Sequence, residues 1–121
     1  MVEEDTVVLL GQNLIFMPHI MNAAQGAGLN TRYANSSAEF WSVFKENRPE
    51  LVLVDLEGDS NIWTDVLAQL HSSEPGIRIV AFGQHSDTAG LERARNLGCK
   101  TVLTKGEFRR DMQLVIGGRI S

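Results

Sequence analysis

Four short, largely apolar segments punctuate the chain: the continuous runs Thr6-Val7-Val8-Leu9-Leu10 and Leu51-Val52-Leu53-Val54, and the segments Ile77-Arg78-Ile79-Val80-Ala81-Phe82 and Thr101-Val102-Leu103-Thr104. All four predict strands, and the β-branched content of the first predicts burial on both faces. Leu29-Asn30-Thr31-Arg32-Tyr33-Ala34 alternates in polarity instead, which predicts a fifth strand with a wetter face or at a sheet edge. The intervening segments carry helical spacing. Residues 14–24 form one apolar helix, with Pro18 tolerable only in its first turn. Ser36-Ser37-Ala38-Glu39 reads as a capping box ahead of Phe40, Trp41 and Phe44, and that helix stops before Pro49. Ile62, Trp63, Val66, Leu67 and Leu70 keep helical spacing up to Pro75-Gly76. Ser86 or Asp87 caps a fourth helix that ends at Gly98, and Phe108, Met112 and Val115 mark a last one that fades at Gly117-Gly118.

Strict alternation of five strands with five helices implies right-handed crossovers and a parallel sheet covered on both faces, as one α/β domain over residues 1–121. In such sheets chemistry sits beyond the carboxyl ends of the strands. Those ends read Gly11-Gln12-Asn13, Asp55, Gly83-Gln84 and Thr104-Lys105-Gly106, so an aspartate and a lysine point at one crevice.

With those residues in place, the sequence resembles the receiver domain of two-component response regulators over about residues 5–117. Arg48-Pro49-Glu50-Leu51-Val52-Leu53-Val54-Asp55-Leu56 is similar to the family's phosphoacceptor strand, and Leu97-Gly98-Cys99 with Leu103-Thr104-Lys105 is similar to its conserved lysine segment. The resemblance implies a (βα)5 flavodoxin-like three-layer α/β/α sandwich with strand order 2-1-3-4-5. It makes Asp55 the phosphoacceptor equivalent and Lys105 the phosphoryl contact.

Several family positions are altered. A carboxylate attacking a phosphoryl group needs a magnesium ion to neutralise the anions, and the family holds it with an acidic pair after strand one. Gly11 and Gln12 stand there. The family's phosphoryl-binding hydroxyl after strand four is Gly83, its switch aromatic in strand five is Val102, and the proline after the lysine is Gly106. These losses imply an atypical receiver, or pseudo-receiver, that signals by protein–protein contact, without enzymatic activity, cofactor or metal. Two alternatives stay open: a working phosphoacceptor at Asp55, with magnesium held by Glu57, Asp59 or water, and a small-ligand-binding flavodoxin-like domain.

The remaining composition narrows the field. A net charge of −4 argues against nucleic-acid binding through bulk charge. That charge is uneven, with nine acids and three bases in residues 1–60 but six acids and eight bases in 61–121. Arg93, Arg95, Lys100, Arg109 and Arg110 concentrate the excess on the last two helices and strand five, the face on which receivers dimerise or meet an output partner. The expected partners are therefore a signalling protein or output domain, or a second copy through that face. A partly exposed apolar helix at 14–24, presenting Phe16, Met17, Ile20 and Met21, offers another contact surface. An acidic N-terminus, one cysteine (Cys99) and no long apolar run point to a cytoplasmic protein with no membrane contact. His19, His71 and His85 lack metal-pair spacing; His85 lies nearest the crevice. Trp41 and Trp63 read as packing residues, and neither a glycine-rich phosphate loop nor a hydrolase motif is present.

Overall fold

The computed structural model describes residues 5–12 and 15–118. In chain order the elements are β1 (Asp5–Leu10), α1 (Met17–Gly26), β2 (Leu29–Ala34), α2 (Ser37–Asn47), β3 (Leu51–Asp55), α3 (Ser60–Ser73), β4 (Arg78–Gly83), α4 (Thr88–Asn96), β5 (Thr101–Thr104) and α5 (Lys105–Ile116). The sheet order is β2-β1-β3-β4-β5, and every neighbouring pair is parallel. The alternating strand, β2, is one of the two edge strands, in keeping with its polarity, and β5 is the other.

Side chains of a strand alternate between faces, so each apolar strand feeds two cores. Val8, Leu10, Val52, Val54 and Ala81 meet Phe40, Phe44, Trp63, Leu67, Leu70 and Leu91 from α2, α3 and α4. Val7, Leu9, Leu51, Leu53, Val80 and Phe82 meet Ile20, Ala24, Phe108, Met112 and Ile116 from α1 and α5. The result is a three-layer sandwich with two helices on one side and three on the other.

Local chemistry sets the helix ends. Pro18 occupies the first turn of α1, where its missing N–H is harmless, while Leu14 lies outside the described residues. Ile20 is not an exposed contact residue: it is fully buried, because it falls on the stripe of α1 that faces the sheet. Ser36 caps α2 by accepting from the Glu39 N–H, but the Glu39 carboxylate accepts from the Asn35 N–H, so the reciprocal half of the expected box is displaced by one residue. A complete box lies elsewhere, between Thr104 and Glu107 at the start of α5. It lets β5 run into α5 without a loop, and the last helix starts at Lys105, well before the Phe108 that marked it in the sequence.

Candidate functional site

Asp55 is the last residue of β3, and its register partner on β4 is Phe82. It is 3% exposed. Its Oδ1 accepts the Glu57 backbone N–H at 3.0 Å and stands 3.6 Å from the Lys105 Nζ. Lys105 is better placed on Glu57, at 2.8 Å. Because Lys105 is the first residue of α5, the sheet edge fixes its backbone and the helix aims its side chain back over the crevice. Beneath it the Phe16 ring lies 5.5 Å from the ammonium. Phe16 in turn sits edge-on to Phe82 and Phe108, whose rings stack at 4.2 Å. The ammonium is thus held between two carboxylates and an aromatic face.

The two carboxylates respond oppositely. Burial pushes the Asp55 carboxyl above its ordinary range, and neither the Glu57 N–H nor Lys105 fully offsets that. Glu57 is held below the usual carboxylate range, chiefly by its hydrogen bond from Lys105 and also by the Gln84 side chain. Lys105 therefore serves Glu57 first.

Gly11 and Gln12 follow β1 and reach the same crevice. A Cβ on Gly11 would meet the Asp55 Cβ at 3.0 Å, so the two strand ends approach as closely as a glycine permits. Gly83, at the end of β4, is walled by Leu56 and Leu91: its Cβ would lie 3.2 Å from the Leu56 Cβ. Val102 pairs with Ala81 and packs against the core beneath α2, α3 and α4. Beside Asp55, the hollow bounded by Gly11, Gln12, Asn35, Gly58, Asp59 and Trp63 has a volume of about 10 Å3, room for about one water. Trp63 lines it while filling the core, and its buried indole N–H has no hydrogen-bond partner among the described residues.

Asp55, Lys105, Gly11, Gln12 and Glu57 are thus brought together; Asp59 borders the same hollow, but its carboxylate is engaged in capping α3 by accepting from the Asn61 N–H. His85 is exposed in the loop after β4. Among the described residues, no group of three or more His, Cys, Asp or Glu is placed to hold a metal ion. Sequence reasoning treated Glu57 as a metal-ligand candidate and missed it as the partner of Lys105; its position two residues past a strand-end aspartate was the only signal.

The basic residues divide between two surfaces. Arg109 and Arg110 border the hollow between α1 and α5, together with His19. Lys100 lines a separate cavity at the opposite end of the sheet from Asp55. Arg93 and Arg95 are exposed on α4, where Arg95 faces Glu92 at 3.4 Å. No described helix is long and apolar enough to cross a membrane.

No protein-family model and no curated protein matches the chain. Solved structures do. A CheY-like response regulator receiver domain protein from Methanospirillum hungatei superposes with a TM-score of 0.78 at 15% identity, covering 96% of this chain and 93% of that one. The signal receiver domain of the putative response regulator NarL from Mycobacterium tuberculosis gives 0.75 at 20% identity, covering 95% and 94%. A response regulator from Burkholderia pseudomallei, solved with a phosphorylated aspartic acid, a calcium ion and citrate, gives 0.75 at 18% identity, covering 93% of this chain and 66% of that one. The flavodoxin-like sandwich built here, in its strand order and its helix placement, is the fold of the response-regulator receiver domain.

Proposed function

We propose that the chain is a receiver-like signalling module that works through protein contact and does not depend on magnesium-assisted phosphorylation of Asp55. The observation that carries this reading is the Lys105 ammonium, 2.8 Å from Glu57 and 3.6 Å from Asp55, opposite a strand end that offers only Gly11. An anionic nucleophile approaching a phosphoryl anion needs positive charge between them. Magnesium would require several hard oxygen ligands in octahedral geometry. Gly11 supplies no side-chain ligand, Gln12 offers only a neutral amide oxygen, and the Asp55 and Glu57 carboxylates both face Lys105. The donor set does not fit the ion, and Lys105 occupies the electrostatic role of a counter-charge inside the resting fold. Gly83 brings no hydroxyl, and Leu56 fills the adjacent space. On this reading Lys105, through Glu57 first and Asp55 second, ties the start of α5 to the loop after β3 and exchanges no phosphoryl group. The module is expected to act in the cytoplasm, without enzymatic activity, through a signalling protein, an output domain or a second copy. The exposed Arg109 and Arg110 are the first contacts to test.

The second reading, a phosphoacceptor at Asp55, is favoured by the fold shared with the Burkholderia pseudomallei regulator, whose structure holds a phosphorylated aspartic acid. Incubation with acetyl phosphate and magnesium, followed by intact-mass measurement, distinguishes the two. Unmodified protein is the expected result. Stoichiometric phosphorylation that disappears in Asp55→Asn would overturn the proposal.

A further inference from the structure

α1 and α5 lie side by side on one face of the sheet, and each turns a buried stripe toward it, Ile20 and Ala24 on α1 and Phe108, Met112 and Ile116 on α5. A second stripe on each helix lines the seam above that core: His19, Ala23 and Gly26 on α1, Arg110, Leu114 and Gly117 on α5, at the three- and four-residue spacing of one helical face. Two hollows open along the seam, of about 430 and 440 Å3. They share Ala23 and Leu114, so they are the two halves of one groove. Small residues keep it open: a Cβ added at Gly26 would meet nothing within 4 Å. From His19 to Gly26 the groove follows α1 for about 10 Å, two helical turns.

Its chemistry is one-sided. Leu114 rises from the α5 wall and is 41% exposed, a degree of exposure few large apolar side chains here reach. Arg109, Arg110 and His19 gather at one end, whereas no Asp or Glu is among the described residues that line either hollow, and α1 carries none. Asp111 answers Arg110 at 2.8 Å, and Arg109 makes no ion pair among the described residues.

Resting on the reading of the chain as a contact module, we infer that the α1–α5 groove docks an acidic amphipathic helix of a protein partner, two to three turns long. Its apolar face lies over Ala23, Gly26 and Leu114, the helix-in-groove mode in which residues at i, i+3, i+4 and i+7 are the anchors. Its carboxylates meet Arg109 and Arg110, and because these stand at one end they also set the direction in which the helix lies. A second copy in a self-complementary contact would bring only the same acid-free lining. A lipid surface is flat and would touch the arginines without entering the groove.

The probe is an acetylated, amidated peptide of about twelve residues with leucine on one helical face and glutamate on the other, titrated into the whole chain and followed by amide chemical shifts. Saturable shifts concentrated at Ala23, Gly26, Gln113 and Leu114 are expected, with affinity at least about tenfold weaker for the lysine-for-glutamate peptide and for Arg109→Glu. Gly26→Leu plugs the groove at constant charge and at a position with free space, so its circular dichroism should match the parent while the peptide binds at least about tenfold more weakly. No saturation up to about 1 mM, equal affinity for the lysine peptide or in Gly26→Leu, or a response to phosphatidylserine vesicles and none to the peptide would each overturn the inference. Absence of peptide binding in a chain that acetyl phosphate leaves unmodified removes the groove partner alone; peptide binding in a chain phosphorylated on Asp55 removes the reading of the crevice alone.

Discussion

Asp55 is a buried carboxylate whose charged form the fold disfavours. Its folded pKa lies above the ordinary value of 3.8, so the folded state binds more protons than the unfolded chain in the window from 3.8 upward. Stability is therefore highest below that window and falls as pH rises through the folded value. Asp55→Asn removes that dependence while leaving Lys105 its shorter contact with Glu57. The variant should be as stable as the parent or more stable at pH 7, and denaturant melts should show the gap closing on acidification. Glu57 behaves in reverse: its depressed pKa contributes stability at neutral pH that is lost as acid protonates it, so Glu57→Gln should flatten that part of the profile. Gly83 gives a steric counterpart. A threonine there forces its Cβ to within 3.2 Å of Leu56 and should cost about 1–3 kcal/mol in chemical denaturation. The sequence made Asp55 and Lys105 visible because each directly follows an apolar strand. It hid the preference of Lys105 for Glu57, since side-chain reach is set by where α5 begins.

That beginning belongs to the element scale. Thr104 and Glu107 satisfy each other's neighbouring N–H groups, and this box converts the end of β5 directly into α5. Thr104→Ala should cost about 0.5–2 kcal/mol and, by loosening the first turn, lengthen the contact between Lys105 and Glu57; thermal melts read the first and amide shifts at Glu57 the second. Strand positions were legible because buried parallel strands read as unbroken apolar runs. Helix starts were less so. Ser36-x-x-Glu39 has the form of a capping box, yet its carboxylate turns to Asn35, whereas Thr104-x-x-Glu107 lay concealed at the end of an apolar strand. The apolar segment leading into α1 was also ambiguous. Of its large residues, Ile20 is buried against the sheet and Met21 is 53% exposed, a division set by helix phase and not by hydrophobicity.

At the scale of the molecule, alternation of element type was enough to settle a doubly covered parallel sheet, and the resemblance supplied the order that the structure shows. The uneven charge did not become one patch, because Lys100 and the Arg109–Arg110 pair fall at different surfaces. If partner contact uses the α1–α5 face, reversing both charges with Arg109→Glu and Arg110→Glu should weaken self-association or partner capture in low-salt sedimentation, without a change in melting temperature. Unchanged association would remove that face from consideration. Lys105 already serves as the counter-charge to the crevice carboxylates, and the crevice does not recruit a metal-assisted phosphoryl group. The most direct test is an amide chemical-shift titration with beryllofluoride, a phosphoryl mimic, in the presence and absence of magnesium. Spectra around Asp55, Glu57 and Lys105 should stay unchanged in both; saturable, magnesium-dependent shifts at those residues, abolished in Asp55→Asn, would contradict a crevice closed to phosphoryl groups.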